Sequence, residues 1–133
     1  MERKKISDSF SVSSQLSLED IASLKAQGIK TIICNRPDGE DPGQLEHDKI
    51  QQEALKNEME FHFMPVISGQ MTPQDGDNFY QLMHETPQPV HAYCRTGTRC
   101  SILWALSELK SGTAREDILQ QTAQAGYDLS KSI

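Results

Sequence analysis

A chain of 133 residues, 36% hydrophobic and 24% charged, is long enough to bury a core without a disulfide or metal staple. Its formal net charge of −6 argues against a nucleic-acid partner, which would need a basic face, but leaves room for a small anion held by a local basic loop. No stretch reaches the roughly 20 apolar residues that span a bilayer, and the charged, then polar start lacks the apolar run of a signal peptide. The expectation is therefore a single domain over 1–133, cytoplasmic, with no membrane partner. Three cysteines, an odd number in a reducing compartment, suit a catalytic or incidental thiol better than a disulfide scaffold. No Cys-x-x-Cys or His-x-x-x-His spacing suggests zinc, and no metal or organic cofactor is expected.

In chain order, Phe10 to Val12 reads as a short first strand. Ser17 to Asp20 forms a capping box, Leu18, Ile21, Ala22 and Leu24 follow at helical spacing, and Gly28 supplies the stop. Ile29 to Cys34 is a buried, β-branched strand. Arg36 to Gly43 is a loop by its Pro, Gly and Asp content, and Leu45 to Met59 a polar surface helix. Glu60 to Val66 alternates like a strand, and Ser68 to Gln70 is a loop. Thr72 and Pro73 open a helix as N-cap and N1, with Phe79, Leu82 and Met83 on its apolar face and Pro87 and Pro89 beyond it. Val90 to Tyr93 is a strand that runs into Cys94-Arg-Thr-Gly-Thr-Arg99. Ile102 to Leu109 is an apolar helix, with Trp104 in the core, and Thr113 to Glu116 caps a last helix ended by Gly126. Strands alternating with helices predict an α/β fold: a central, mostly parallel sheet flanked by helices, with ligands at the carboxyl ends of the strands.

The chemistry concentrates after the strand Val90 to Tyr93. A short loop between a strand and a helix N-terminus aims several backbone N–H groups at one point, and the helix dipole adds to them. Gly97 lets the loop curl, Arg99 offers a planar two-pronged donor, and Arg95, Thr96 and Thr98 complete a substrate-binding cradle. Cys94 lies at its base, where the same field favours the thiolate, so Cys94 and Arg99 are the candidate catalytic pair. The competing reading is a buried structural cysteine beside a surface loop.

At these residues the chain resembles known families. Cys-Arg-Thr-Gly-Thr-Arg is similar to the active loop shared, in variant forms, by protein tyrosine phosphatases and rhodaneses. Thr31-Ile-Ile-Cys-Asn-Arg-Pro-Asp-Gly-Glu40, Phe63-Met-Pro-Val66, Gly69, Thr72 and the Tyr93-Cys94 loop together resemble the phosphatase-like family of beta-lactamase-hydrolase-like proteins, over nearly the whole chain. The resemblance implies a protein-tyrosine-phosphatase-like fold. It also implies company with sulfide-detoxifying enzymes, since members occur fused to them or encoded beside them and have been described as sulfurtransferases.

Two reactions suit the cradle. In a phosphatase, Cys94 attacks phosphorus, Arg99 and the loop N–H groups hold the equatorial oxygens, and an acid protonates the leaving group. The phosphatase pattern has His before the cysteine and one more residue before the arginine; here Tyr93 precedes Cys94, and Cys100 stands where that arginine would fall. The candidate acids are Asp38, Glu40, Asp75 and Asp77, each with a plainer reading as a turn or helix-capping residue. In a rhodanese-like sulfurtransferase, Cys94 carries sulfane sulfur from thiosulfate or a persulfide and needs no acid. A non-catalytic anion-binding relative is the third reading. The expected partner is a small oxyanion, either a phosphate ester or thiosulfate or a persulfide.

Cys100 can resolve an oxidised Cys94 through a disulfide, or is small core packing. Cys34 ends a strand and reads as inert core. Arg36 adds positive charge to the pocket, or pairs with Asp38 or Glu40 at the surface. His91, on the strand face opposite Ala92 and Cys94, reads as a hydrogen-bonded structural histidine.

Overall fold

The structure is a computed structural model and describes residues 1–133. Its five strands form one sheet: β1 Lys4–Ser7, β2 Phe10–Ser13, β3 Thr31–Cys34, β4 Glu60–Phe63 and β5 Val90–Tyr93, in the order β1-β2-β5-β3-β4. β2, β5, β3 and β4 are mutually parallel and β1 is an antiparallel edge. The helices are α1 Leu18–Ala26, α2 His47–Lys56, α3 Pro73–Glu85, α4 Thr98–Lys110 and α5 Arg115–Gln124. No helix is long and apolar enough to cross a membrane.

The period of two along the central strands sorts side chains to two cores. Phe10, Val12, Ile33, Val90 and Ala92 face α3, α4 and α5, where they pack with Phe79, Met83, Leu103, Trp104 and Ile118. Ile32, Cys34 and Tyr93 face α1 and α2, with Ile21, Leu24, Ile50 and Ala54. The Phe10 ring stacks parallel to Trp104 at 6.2 Å and meets Phe79 edge-on at 5.8 Å. His91 is fully buried on the α1 side, and Ser11 and Ser13 of β2 hold its two ring nitrogens at 2.8 Å each. It therefore ties β2 to β5.

The structure departs from the sequence reading at element ends. β1 has only Ile6 buried, so its two lysines hide an edge strand with little apolar signal. α2 is shorter than Leu45 to Met59, because Glu58 adopts φ 60° and turns the chain toward β4. β4 stops at Phe63 rather than Val66, since Pro65 has no N–H for a ladder; Met64 and Val66 still donate to the carbonyls of Cys34 and Asn35. α5 begins after Ala114, and the Thr113 hydroxyl bonds Glu108 instead of capping it. The consequential difference is α4, which starts at Thr98 rather than Ile102. Ser101 N–H already donates to Gly97 O at 3.0 Å, so the polar stretch Thr98 to Ser101 is the first helical turn and the loop proper is only Cys94 to Gly97.

Candidate active site

β5 ends at Tyr93 in the middle of the sheet, so the chain leaves it at the carboxyl edge with α4 directly ahead. Gly97 is the N-cap, at φ 92°, a left-handed backbone that a side chain would strain. A Cβ there would also fall against the Tyr127 hydroxyl. That hydroxyl donates to Thr96 O at 2.9 Å, so the segment after α5 braces the loop from beneath. Ser101 fastens the other side by donating its hydroxyl to Gly97 O at 2.8 Å. Thr96 turns its hydroxyl toward Thr98, 3.0 Å from the Thr98 hydroxyl and 3.4 Å from its N–H.

Inside this curl, Cys94 Sγ accepts the Gly97 N–H at 3.0 Å. Its pKa is lowered to about 5, first by a hydrogen bond from the Cys100 thiol, then by the backbone N–H groups of Cys100, Thr96 and Gly97, against the opposing cost of burial. The loop and the first turn of α4 thus both favour the charged form of this sulfur, and the Gly97 N–H is in direct hydrogen-bond contact with it. Cys100 lies fully buried beneath it, its own thiol held well above the ordinary range by burial and by the proton it shares with Cys94. Cys34 is also buried, donates to Arg36 O at 3.3 Å, and is pushed up to about 11 by desolvation. Cys94 alone is set up as a thiolate near neutrality.

Arg99, on the first turn of α4, is 5% exposed. Its Nη1 donates to Glu40 Oε2 at 2.7 Å and to Val66 O at 2.8 Å, and its Nη2 to Glu40 Oε1 at 2.8 Å. Glu40 is shared with Arg36, whose Nε reaches Oε1 at 3.0 Å while Nη1 goes to Gln15 at 2.9 Å and Nη2 to Asp41 at 2.6 Å. Two guanidiniums thus bracket one carboxylate, and Glu40 is held below its usual pKa first by the hydrogen bonds from Arg99. Arg95 stands at the rim, 65% exposed, 3.3 Å from Asp41.

The structure thus keeps Cys94 to Cys100 together in one loop and the first turn of α4, with Arg95, Thr96, Thr98 and Arg99 lining one hollow. It turns Arg36 inward: all three of its nitrogens are engaged, so Arg36 braces Glu40 and Asp41 rather than lining the pocket. Glu40 grips Arg99 instead of standing free as an acid. Asp38 bonds the backbone N–H and Nδ1 of His47, Asp75 closes the capping box of α3 onto Thr72, and Asp77 pairs with Lys110 at 3.3 Å. Tyr127, Gln15, Asp41 and the Val66 carbonyl carry no local signal that ties them to the site; they arrive there through the fold. A hollow of about 340 Å³ opens beside the loop, with Arg95, Thr98 and Arg99 on one side and Ser68, Gly69 and Met71 opposite.

The sheet order, with Cys94 just past the end of the central strand and Arg99 on the first turn of the helix that follows, defines a protein of tyrosine-phosphatase-like fold. The model of the beta-lactamase hydrolase-like protein, phosphatase-like domain, matches residues 2–111, and the chain belongs to that family. The chain is 37% identical over 130 residues to a beta-lactamase hydrolase-like protein of Agrobacterium fabrum, and 31% identical over 129 residues to one from Xylella fastidiosa. These alignments cover 97% and 96% of this chain but 30% of each relative, so the chain spans under a third of their length. Among solved structures, a candidate phosphatase of Neisseria meningitidis shares 37% identity at a TM-score of 0.86, covering 96% of this chain and 90% of that one. Tk-PTP in its active form shares the fold at 15% identity and a TM-score of 0.75, over 95% of this chain and 85% of its own. A variant of Pseudomonas aeruginosa TpbA, in complex with phosphotyrosine, does so at 14% and 0.68, over 96% and 75%.

Proposed function

We propose that this chain is a cysteine-dependent phosphatase domain acting on a small or exposed phosphomonoester. The observation that carries the reading is the place of the Cys94 sulfur at the N-terminus of α4, where it accepts the Gly97 N–H at 3.0 Å and its pKa is lowered to about 5. Arg99 supports it. A guanidinium has five N–H donors, and the bonds to Glu40 and Val66 leave the Nε–H and one Nη2–H, on a common edge, for two oxygens of a phosphoryl group. The Glu40 clamp holds that edge in place before substrate arrives, so no reorganisation is needed as charge develops. Cys94 Sγ attacks phosphorus, the ester oxygen departs with the P–O electron pair, and the phosphocysteine is opened by water to regenerate the thiolate. Arg95 and the helix dipole add positive field at the mouth. The TpbA variant of the same fold, in complex with phosphotyrosine, supports a phosphate ester as substrate.

The test is turnover of para-nitrophenyl phosphate, with thiosulfate plus cyanide in parallel and Cys94→Ser as the control in both. Phosphate release that the substitution abolishes is the expected result. Thiocyanate formation without phosphate release would replace this reading with sulfur transfer. Silence in both would leave an anion-binding module.

A further inference from the structure

We infer that the site hydrolyses phosphate esters whose leaving group departs without a proton, aryl rather than alkyl phosphates; this rests on the phosphatase reading above. The carboxylates near the strands' carboxyl edge are all committed to other partners. Glu40 has both oxygens on Arg99, and Oε1 also on Arg36. Asp41 lies between Arg36 and Arg95. Asp38 is closed onto His47, whose ring lies flat against Phe63 at 3.7 Å. Asp75 is folded back on the Thr72 N–H at 2.8 Å, and Asp77 faces Lys110.

The wall opposite the loop belongs to the segment between β4 and α3, Met64-Pro-Val-Ile-Ser-Gly-Gln-Met71, which contains no acid, base or thiol. Ser68, Gly69 and Met71 line the hollow across from Arg95 and Arg99. The charged side chains that line this hollow are Arg95 and Arg99, and a guanidinium has no proton to give near neutrality. They can stabilise an oxyanion that leaves as one. A phenolate, whose conjugate acid has a pKa of about 10, leaves readily in that form, whereas an alkoxide is far more basic and does not. Proton donation by a positioned acid typically contributes about 10²–10⁴-fold, and poor leaving groups are the ones that depend on it.

In the first step the Cys94 lone pair forms the S–P bond while the P–O bond breaks, and its electron pair leaves on the phenolic oxygen. In the second, water forms the new P–O bond, the S–P pair returns to Sγ, and the water proton passes to solvent.

The experiment compares kcat/KM for para-nitrophenyl phosphate, phenyl phosphate and an alkyl phosphate on the whole chain. This parameter reports the steps through P–O cleavage even where phosphocysteine hydrolysis limits turnover. Phenyl phosphate is expected at least about 100-fold below the nitrophenyl ester, with the alkyl ester lower still. A smaller ratio overturns the inference. So does a loss selective for phenyl phosphate in Asp38→Asn, Asp75→Asn or Asp77→Asn, which would reveal an acid. Failure to hydrolyse the nitrophenyl ester, or hydrolysis that survives in Cys94→Ser, overturns the phosphatase reading and this one with it.

Discussion

Cys94 and Cys100 are chemically identical side chains that the fold drives in opposite directions. Cys94 faces the loop N–H groups and is lowered to about 5, while Cys100, deeper and fully buried, keeps its proton and lends it as a hydrogen bond. The donor at Cys100 is thus part of what keeps Cys94 ionised. Cys100→Ala removes it, and Cys100→Ser restores a hydroxyl of similar reach. In a pH titration of thiolate ultraviolet absorbance, referenced to Cys94→Ser, the Cys94 midpoint is expected near 5 in the native chain. It should rise by about one unit or more in Cys100→Ala, and return toward the native value in Cys100→Ser. An unmoved midpoint in Cys100→Ala would show that the backbone N–H groups suffice.

At the level of elements, the active loop is short because α4 begins early, and it is braced from a distant part of the chain. Tyr127 crosses beneath Gly97 and donates to Thr96 O. Tyr127→Phe should cost about 1 kcal/mol, the usual net worth of one hydrogen bond. Gly97→Ala should cost about 3 kcal/mol, because it combines left-handed strain with overlap on the Tyr127 hydroxyl. Deleting that hydroxyl relieves part of the overlap, so the double substitution should destabilise by less than the sum of the two. Urea unfolding of the two single variants and the double variant checks this, and strict additivity would mean that the contact does not govern the loop. The same early helix start puts Arg99, one residue nearer the cysteine than the phosphatase pattern has its arginine, on the first turn of α4. From there it reaches Glu40 and Val66 directly.

Across the whole molecule, the strand that leads into Cys94 is fastened by a buried neutral histidine. His91 is pushed down to about 3 by desolvation, with a further contribution from Arg3 and an opposing one from Asp20. An unfolded histidine titrates near 6.5. Between the two values the unfolded chain binds a proton that the folded chain refuses, so stability is complete above about 6.5 and declines as pH falls toward 3. Cys94 slopes in the same sense at higher pH, since its folded pKa is also depressed. The comparison therefore belongs in a Cys94→Ser background. There, the fall in urea midpoint between pH 6.5 and 5 should be smaller in His91→Gln than with His91 present. An equal slope would assign the acid limb to the carboxylates.

Much of this was legible locally. The β-branched run Thr31 to Cys34, the capping boxes at Ser17 and Thr72, and the strand–Cys94–Gly97–Arg99 succession each express short-range physics: a period of two, a side chain returning to its own helix end, a backbone that only glycine adopts comfortably. From these follow the α/β alternation and the position of Cys94 at the sheet edge. Burial and long-range pairing are not local properties, and they decided the rest. Glu40 and Asp75 are both carboxylates near loop and helix starts; only the packed chain sets one against Arg99 and folds the other onto Thr72. Arg36 reads as a surface or pocket cation until Gln15, Glu40 and Asp41 close around it. Tyr127 lies 33 residues beyond Cys94, and only the return of the chain after α5 brings it under the loop.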